Sequence, residues 1–143
     1  MKITDEYAFV ASYLEKKVRV YQRDATSGRW ESATPEATFE EASLLNFGFQ
    51  MDACNDHVIV STGGRQEQAT ETVKIYGRNQ VSGKWQESPV YSVSKTNGQF
   101  GISVSISESF AVIGTGESSN AEMYTFNSES NSWQPMEVGG TPV

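Results

Sequence analysis

Hydrolysis by a Ser-His-Asp triad runs through a histidine, and this chain has one, His57. It follows Asp56 and stands three residues after Cys54, the single cysteine, so the chemistry open to it is a thiol–imidazole pair. Against that, His57 begins an apolar stretch, His57-Val58-Ile59-Val60, in the slot that Tyr7 and Phe110 fill in two similar stretches. An aromatic slot at the edge of a strand explains it better, and no catalytic residue is assigned. One histidine and one cysteine fall short of the four donors, or three and a water, that zinc needs, so no metal is expected. No Gly-x-Gly-x-x-Gly or Gly-Lys-Ser/Thr phosphate loop occurs, so no cofactor is expected. Trp30, Trp85 and Trp133 could offer flat faces to sugar rings. Their equal placement suits packing better, each burying on the order of 200 Å², and all three are expected to be largely buried. Acidic pairs such as Glu40-Glu41 are expected to be solvated.

The elements that position these residues repeat three times. Ile3-Thr4-Asp5-Glu6-Tyr7-Ala8-Phe9-Val10 aligns without a gap on Ile106-Ser107-Glu108-Ser109-Phe110-Ala111-Val112-Ile113, with Ala53-Cys54-Asn55-Asp56-His57-Val58-Ile59-Val60 between them. Each stretch is followed by an aromatic-tipped strand and a tryptophan: Val18-Arg19-Val20-Tyr21 with Trp30, Val73-Lys74-Ile75-Tyr76 with Trp85, and Met123-Tyr124-Thr125-Phe126 with Trp133. A period of about 50 residues built from short strands marks the blade of a β-propeller.

The expected fold is therefore all-β, with about three four-stranded antiparallel blades in one repeat region, 1–143. The first blade spans 1–35 and is truncated, the second 47–90 and the third 100–138. In the third, Ile102, Val104 and Ile106 alternate with Ser103, Ser105 and Ser107, as a strand with one covered face requires. Phe110 to Ile113 is nearly all apolar and suits a strand covered on both faces. Each tryptophan is expected to open the fourth strand. Ser27-Gly28 and Ser82-Gly83 supply hairpin turns in which glycine takes a positive φ. Residues 34–45 tolerate a helical turn. The chain begins in mid-strand, which suggests a longer polypeptide or a partner that covers the ends.

Eleven basic and eighteen acidic residues give a net charge of −7. That balance argues against nucleic acid, whose phosphates demand a Lys/Arg footprint. No apolar run approaches the ~20 residues that span a bilayer as a helix, so no membrane insertion is expected.

Phe47-Gly48 and Phe100-Gly101, the latter followed by alternating Ile/Val and Ser and then by Phe110-Ala111-Val112-Ile113-Gly114, resemble the FG-GAP repeat, which forms the blades of integrin α-subunit propellers. The resemblance covers nearly the whole chain. It implies a non-catalytic binding module at the cell surface or outside the cell. Gly114-Thr115-Gly116 and Ser61-Thr62-Gly63 stand where the family has Gly-Ala-Pro. The family's Asp-rich calcium loop is replaced by the two-residue turns Asn55-Asp56 and Glu108-Ser109, too short to supply six to eight oxygens. Val60-Ser61-Thr62-Gly63-Gly64, with Tyr76 and Trp85, also resembles the kelch repeat, which would imply an intracellular adaptor.

Either family presents loops at the propeller rim, and such loops carry recognition while the strands repeat. The residues expected to bind are Arg65, Gln66, Glu67, Tyr91, Glu117, Ser118 and Asn120. The partner is expected to be a protein or a second copy of the chain, two copies completing a six-bladed ring, with carbohydrate as the alternative ligand.

Overall fold

Alternation of apolar residues organises the chain into sheets with two distinct faces. The computed structural model describes residues 1–30, 34–63, 70–96, 99–116 and 121–136. They form three four-stranded antiparallel sheets, each with its strands in chain order. The first holds β1 (Lys2–Ile3), β2 (Tyr7–Ser12), β3 (Lys17–Gln22) and β4 (Ala37–Glu40). The second holds β5 (Gln50–Ala53), β6 (His57–Ser61), β7 (Thr70–Gly77) and β8 (Tyr91–Thr96). The third holds β9 (Phe100–Ile106), β10 (Phe110–Thr115), β11 (Ala121–Asn127) and β12 (Ser132–Met136). These are propeller-type blades, the first with a two-residue inner strand.

Two separate cores lie between the blades. Tyr7, Phe9, Val18, Val20 and Phe39 of the first blade pack on Val58, Val60, Tyr76 and Trp85 of the second. The opposite face of the second blade, Ile59, Val73 and Ile75, packs on Ile106, Ala111, Ile113, Tyr124 and Trp133 of the third. All five residues of β6 are consequently buried. An uninterrupted apolar strand is stable here because each face meets a different neighbour.

The Phe-Gly dipeptides stitch these layers. Phe47 and Phe100 are buried in the first and second cores. Gly101 has φ +78°, and a Cβ there would lie 2.8 Å from Val73 Cγ2. Only glycine permits both that backbone and that approach. The Ser61 hydroxyl then donates to the Gly101 carbonyl at 2.7 Å. Asp52 ties all three blades together: it pairs with Lys2 at 2.8 Å and accepts hydrogen bonds from the Ile106 N–H (2.9 Å) and the Ser105 hydroxyl (3.0 Å).

The fourth strands correct the expected boundaries. β4 begins seven residues after Trp30 and β8 six after Trp85, so the first two sheets extend to Glu40 and Thr96. Trp85 makes only an isolated bridge to Arg78. Pro89 lies in the intervening segment and has no N–H to give to a ladder; pairing resumes where Val90 N–H reaches the Ile75 carbonyl at 2.8 Å. In the third blade Trp133 is inside β12, as expected. The segment 34–45 holds β4 and turns and no helical turn.

Strand pairing also shifts the repeat alignment in the third blade by two residues. Ala8 pairs with Tyr21, Val58 with Tyr76 and Ala111 with Tyr124, so Tyr124, not Phe126, is the equivalent of Tyr21 and Tyr76. Asp24, Asn79 and Asn127 then share one slot, each accepting two backbone N–H bonds in the turn that follows. Four residues on, Gly28, Gly83 and Asn131 all have positive φ, a conformation open to glycine and asparagine.

Candidate functional site

Two regions of this frame carry side chains that the packing of strands does not explain: the end faces of the blade stack, and one rim between the second and third blades.

The end faces follow from a contact made twice inside the chain. The first residue of strand two in one blade is gripped by two side chains of the next. Tyr7 meets the Trp85 indole edge-on at 5.5 Å between ring centroids and lies 5.5 Å from the Arg78 guanidinium, which also donates to the Tyr7 hydroxyl at 3.0 Å. His57 is gripped by Phe126 at 4.6 Å and Trp133 at 5.2 Å. The third slot residue, Phe110, is 48% exposed, and Met123 on the same face is 47% exposed. At the opposite end Trp30 is 41% exposed, whereas Trp85 and Trp133 are 6% and 3% exposed. Equal burial of the three tryptophans thus fails at Trp30: an indole is covered by the blade before it, and among the described residues no blade precedes the first.

A charged contact recurs at both junctions with its signs exchanged. Glu41, beyond the end of β4, pairs with Lys74 of β7, and the Tyr76 hydroxyl donates to Glu41 at 3.1 Å. At the next junction Lys95 of β8 pairs with Glu122 of β11, and the Tyr124 hydroxyl donates to Glu122 at 2.8 Å. Burial and the adjacent carboxylates raise the pKa of both tyrosines. Glu40 is exposed, with a surface pair to Lys17 at 3.2 Å, so of the Glu40-Glu41 pair it is Glu41 that departs from the solvated expectation.

The rim site is built from the turns that join strands one and two. In the first and third blades a hydroxyl closes this turn: Thr4 accepts from the Tyr7 N–H and Ser107 from the Phe110 N–H, each at 3.1 Å. The second blade has Cys54 in that slot, its thiol donating to the His57 carbonyl at 3.6 Å, and His57 in the aromatic slot. From the third blade's turn, Glu108 reaches across and accepts the Asn55 N–H at 3.3 Å. One donor atom each of Cys54, His57 and Glu108 lies within 4.8 Å of the other two. Burial pushes the Cys54 thiol up to about 11, with Glu108 adding to it. Burial also lowers the His57 pKa, so at neutral pH both groups are uncharged. His57 is 5% exposed and its Nδ1 has no hydrogen-bond partner among the described residues. Asp56, His57, Gln80 and Glu108 line a solvent-open cleft of about 380 Å³ at this rim.

Of the residues expected to bind, Tyr91 is not in a rim loop: it opens β8 and packs against Tyr124 at 5.4 Å, because strand four begins there. Arg65, Gln66, Glu67, Glu117, Ser118 and Asn120 lie outside the described residues. Nothing local in the sequence links Glu108 to this site: it is fifty-one residues from His57 in the chain, and only blade stacking joins them. The signal was present as a paired departure from the repeat, Cys for Thr/Ser and His for Tyr/Phe in one unit alone.

No family model, no curated protein and no solved structure matches the chain.

Proposed function

We propose that this chain is a run of FG-GAP-like propeller blades acting as a non-catalytic binding module, and that it assembles with a second copy of itself through its end faces. The observation that carries this reading is the pair of half-made contacts. Phe110 waits for an indole and a second side chain; Trp30 and Arg23 occupy the slots of Trp85 and Arg78, and Trp30 waits for a ring while the Arg23 Nε–H donates to the Gly28 carbonyl at 2.7 Å. Each half is complementary to the other, and the chain makes the same contact twice internally. An apolar sheet face left open is an association surface, and a head-to-tail contact of this kind closes into a ring when the rotation per blade allows. Two copies of three blades give a ring within the roughly four-to-eight-bladed range of propellers.

The test uses two variants, Trp30→Asp and Phe110→Asp, and light scattering. Each alone should be monomeric, since every junction then contains one lesion. Mixed in equal amounts they should form a dimer, because one junction pairs the intact Phe110 of one copy with the intact Trp30 of the other. A mixture that stays monomeric while wild type associates would overturn the head-to-tail reading; so would association that survives both single variants.

A further inference from the structure

We propose that Cys54 Sγ, His57 Nδ1 and a Glu108 carboxylate oxygen together hold one divalent cation of the zinc class at the rim between the second and third blades, with solvent completing the coordination.

Three observations carry this. One donor atom from each of the three side chains already lies within 4.8 Å of the other two across two blades, close enough for an ion bonded to sulfur at ~2.3 Å and to nitrogen and oxygen at ~2.0–2.2 Å after small side-chain rotations. The imidazole offers a nitrogen in want of a partner: Nδ1 is buried and unpartnered among the described residues. The Cδ2 edge of the ring faces Gly77 on β7, 3.5 Å from where a Cβ would stand, so the opposite, Nδ1 edge is turned toward the β5 side, where Cys54 lies. A buried polar atom left unpaired is costly, and a metal bond relieves that cost. Finally, both chain-local donors are departures from the repeat. Thr4 and Ser107 close the equivalent turns with a stronger hydroxyl bond, and Tyr7 and Phe110 fill the equivalent slot with a ring. The second blade gives up a hydroxyl in the turn and a carbocyclic ring in the slot at the same two positions that become ligands.

The ligand set selects the ion. Thiolate with imidazole suits zinc or cobalt(II), whereas calcium and magnesium take oxygen donors. The side chains of the family's calcium loop are not used, and the site spans two blades rather than one turn. The cleft lined by Asp56, Gln80 and Glu108 gives solvent and the ion a path to the buried nitrogen. Binding exchanges the Cys54 thiol proton for the metal: the S–H bond breaks, the proton leaves to solvent, and sulfur donates its pair to the ion. No electron is transferred. The cation would then bridge the second and third blades.

Cobalt(II) chloride titrated into the full chain in a non-coordinating buffer tests this by absorption. The expected result is a sulfur-to-cobalt charge-transfer band and tetrahedral visible bands that saturate at one ion per chain and vanish on adding equimolar zinc. Cys54→Ser, which places in the turn the residue of Ser107, should fold and lose the charge-transfer band. Glu108→Gln keeps an oxygen to accept the Asn55 N–H and should weaken cobalt binding by more than ~10-fold with the melting temperature of the metal-free protein unchanged. Excess calcium should leave the spectrum unaltered. Absence of a charge-transfer band in the folded wild-type chain would overturn the proposal. So would a cobalt spectrum and affinity identical in wild type and Glu108→Gln, which would leave an adventitious ion only.

Discussion

Trp85→Ala and Trp30→Ala form the most informative pair of perturbations, because the two residues are equivalent in the repeat and differ in what covers them. An indole presents about 200–250 Å². Trp85 is 6% exposed and Trp30 41% exposed, so Trp85 hides about a third of an indole more, ~70–90 Å². At ~25 cal/mol per Å² that difference is worth ~2 kcal/mol. Trp85 also sits edge-on to Tyr7 and Phe9 at 5.5 and 5.3 Å, and its removal leaves a cavity the aromatic cluster cannot collapse into. Its total cost is expected at ~3–5 kcal/mol. The space left by Trp30 fills with water, so its cost should be at least ~2 kcal/mol smaller. The assay is urea unfolding followed by far-UV circular dichroism in the Phe110→Asp background, where association through the end faces does not contribute. Equal destabilisation by the two variants, or a cost below ~1 kcal/mol for Trp85→Ala, would refute the packing of indoles onto the preceding blade.

Two further perturbations act on the stitches between blades. Asp52 contacts all three; burial pushes its carboxyl up, but the Lys2 ammonium, the Ile106 N–H and the Ser105 hydroxyl outweigh that and leave it below the ordinary value. With the folded pKa below the unfolded one (about 3.9), its contribution is present above that value and is lost as pH falls through the lower, folded value. Acid titration of stability should therefore show a loss below pH ~4 that is reduced in Asp52→Asn; an unchanged titration would contradict the assignment. Gly101→Ala should cost at least ~2 kcal/mol from the left-handed backbone and the clash with Val73. Gly83→Ala, at φ +69° with no atom of the described residues within 4 Å of the added carbon, should cost only ~1 kcal/mol. Equal costs in chemical denaturation would show that the Phe-Gly contact is not tight.

Much of this architecture is legible in the chain because the signals are local. The alternation of Val104 and Ile106 with serines, the apolar run at His57–Ser61 and the Asx-to-Gly turns each depend on residues within one hairpin, and the sheets form there. What the sequence concealed depends on neighbours in space. Trp30 carries the same local pattern as Trp85, yet only position in the stack determines whether a blade lies against it. Each tryptophan reads locally as the start of a strand. In the first two blades it instead stands seven or six residues before β4 or β8, with Pro35 or Pro89 between, whose missing N–H delays pairing. Met123 to Phe126 ends in an aromatic residue, like the strands that end at Tyr21 and Tyr76, and so matches them two residues late; only the pairing of Ala111 with Tyr124 fixes the register. Glu108 joins Cys54 and His57 through stacking alone.

Sedimentation equilibrium of the wild-type chain at micromolar concentration tests the central claim most directly. The complementary end faces predict a concentration-dependent species of twice the 15.8 kDa chain mass, abolished by Phe110→Asp. A well-folded species of 15.8 kDa that persists unchanged across that concentration range would contradict it.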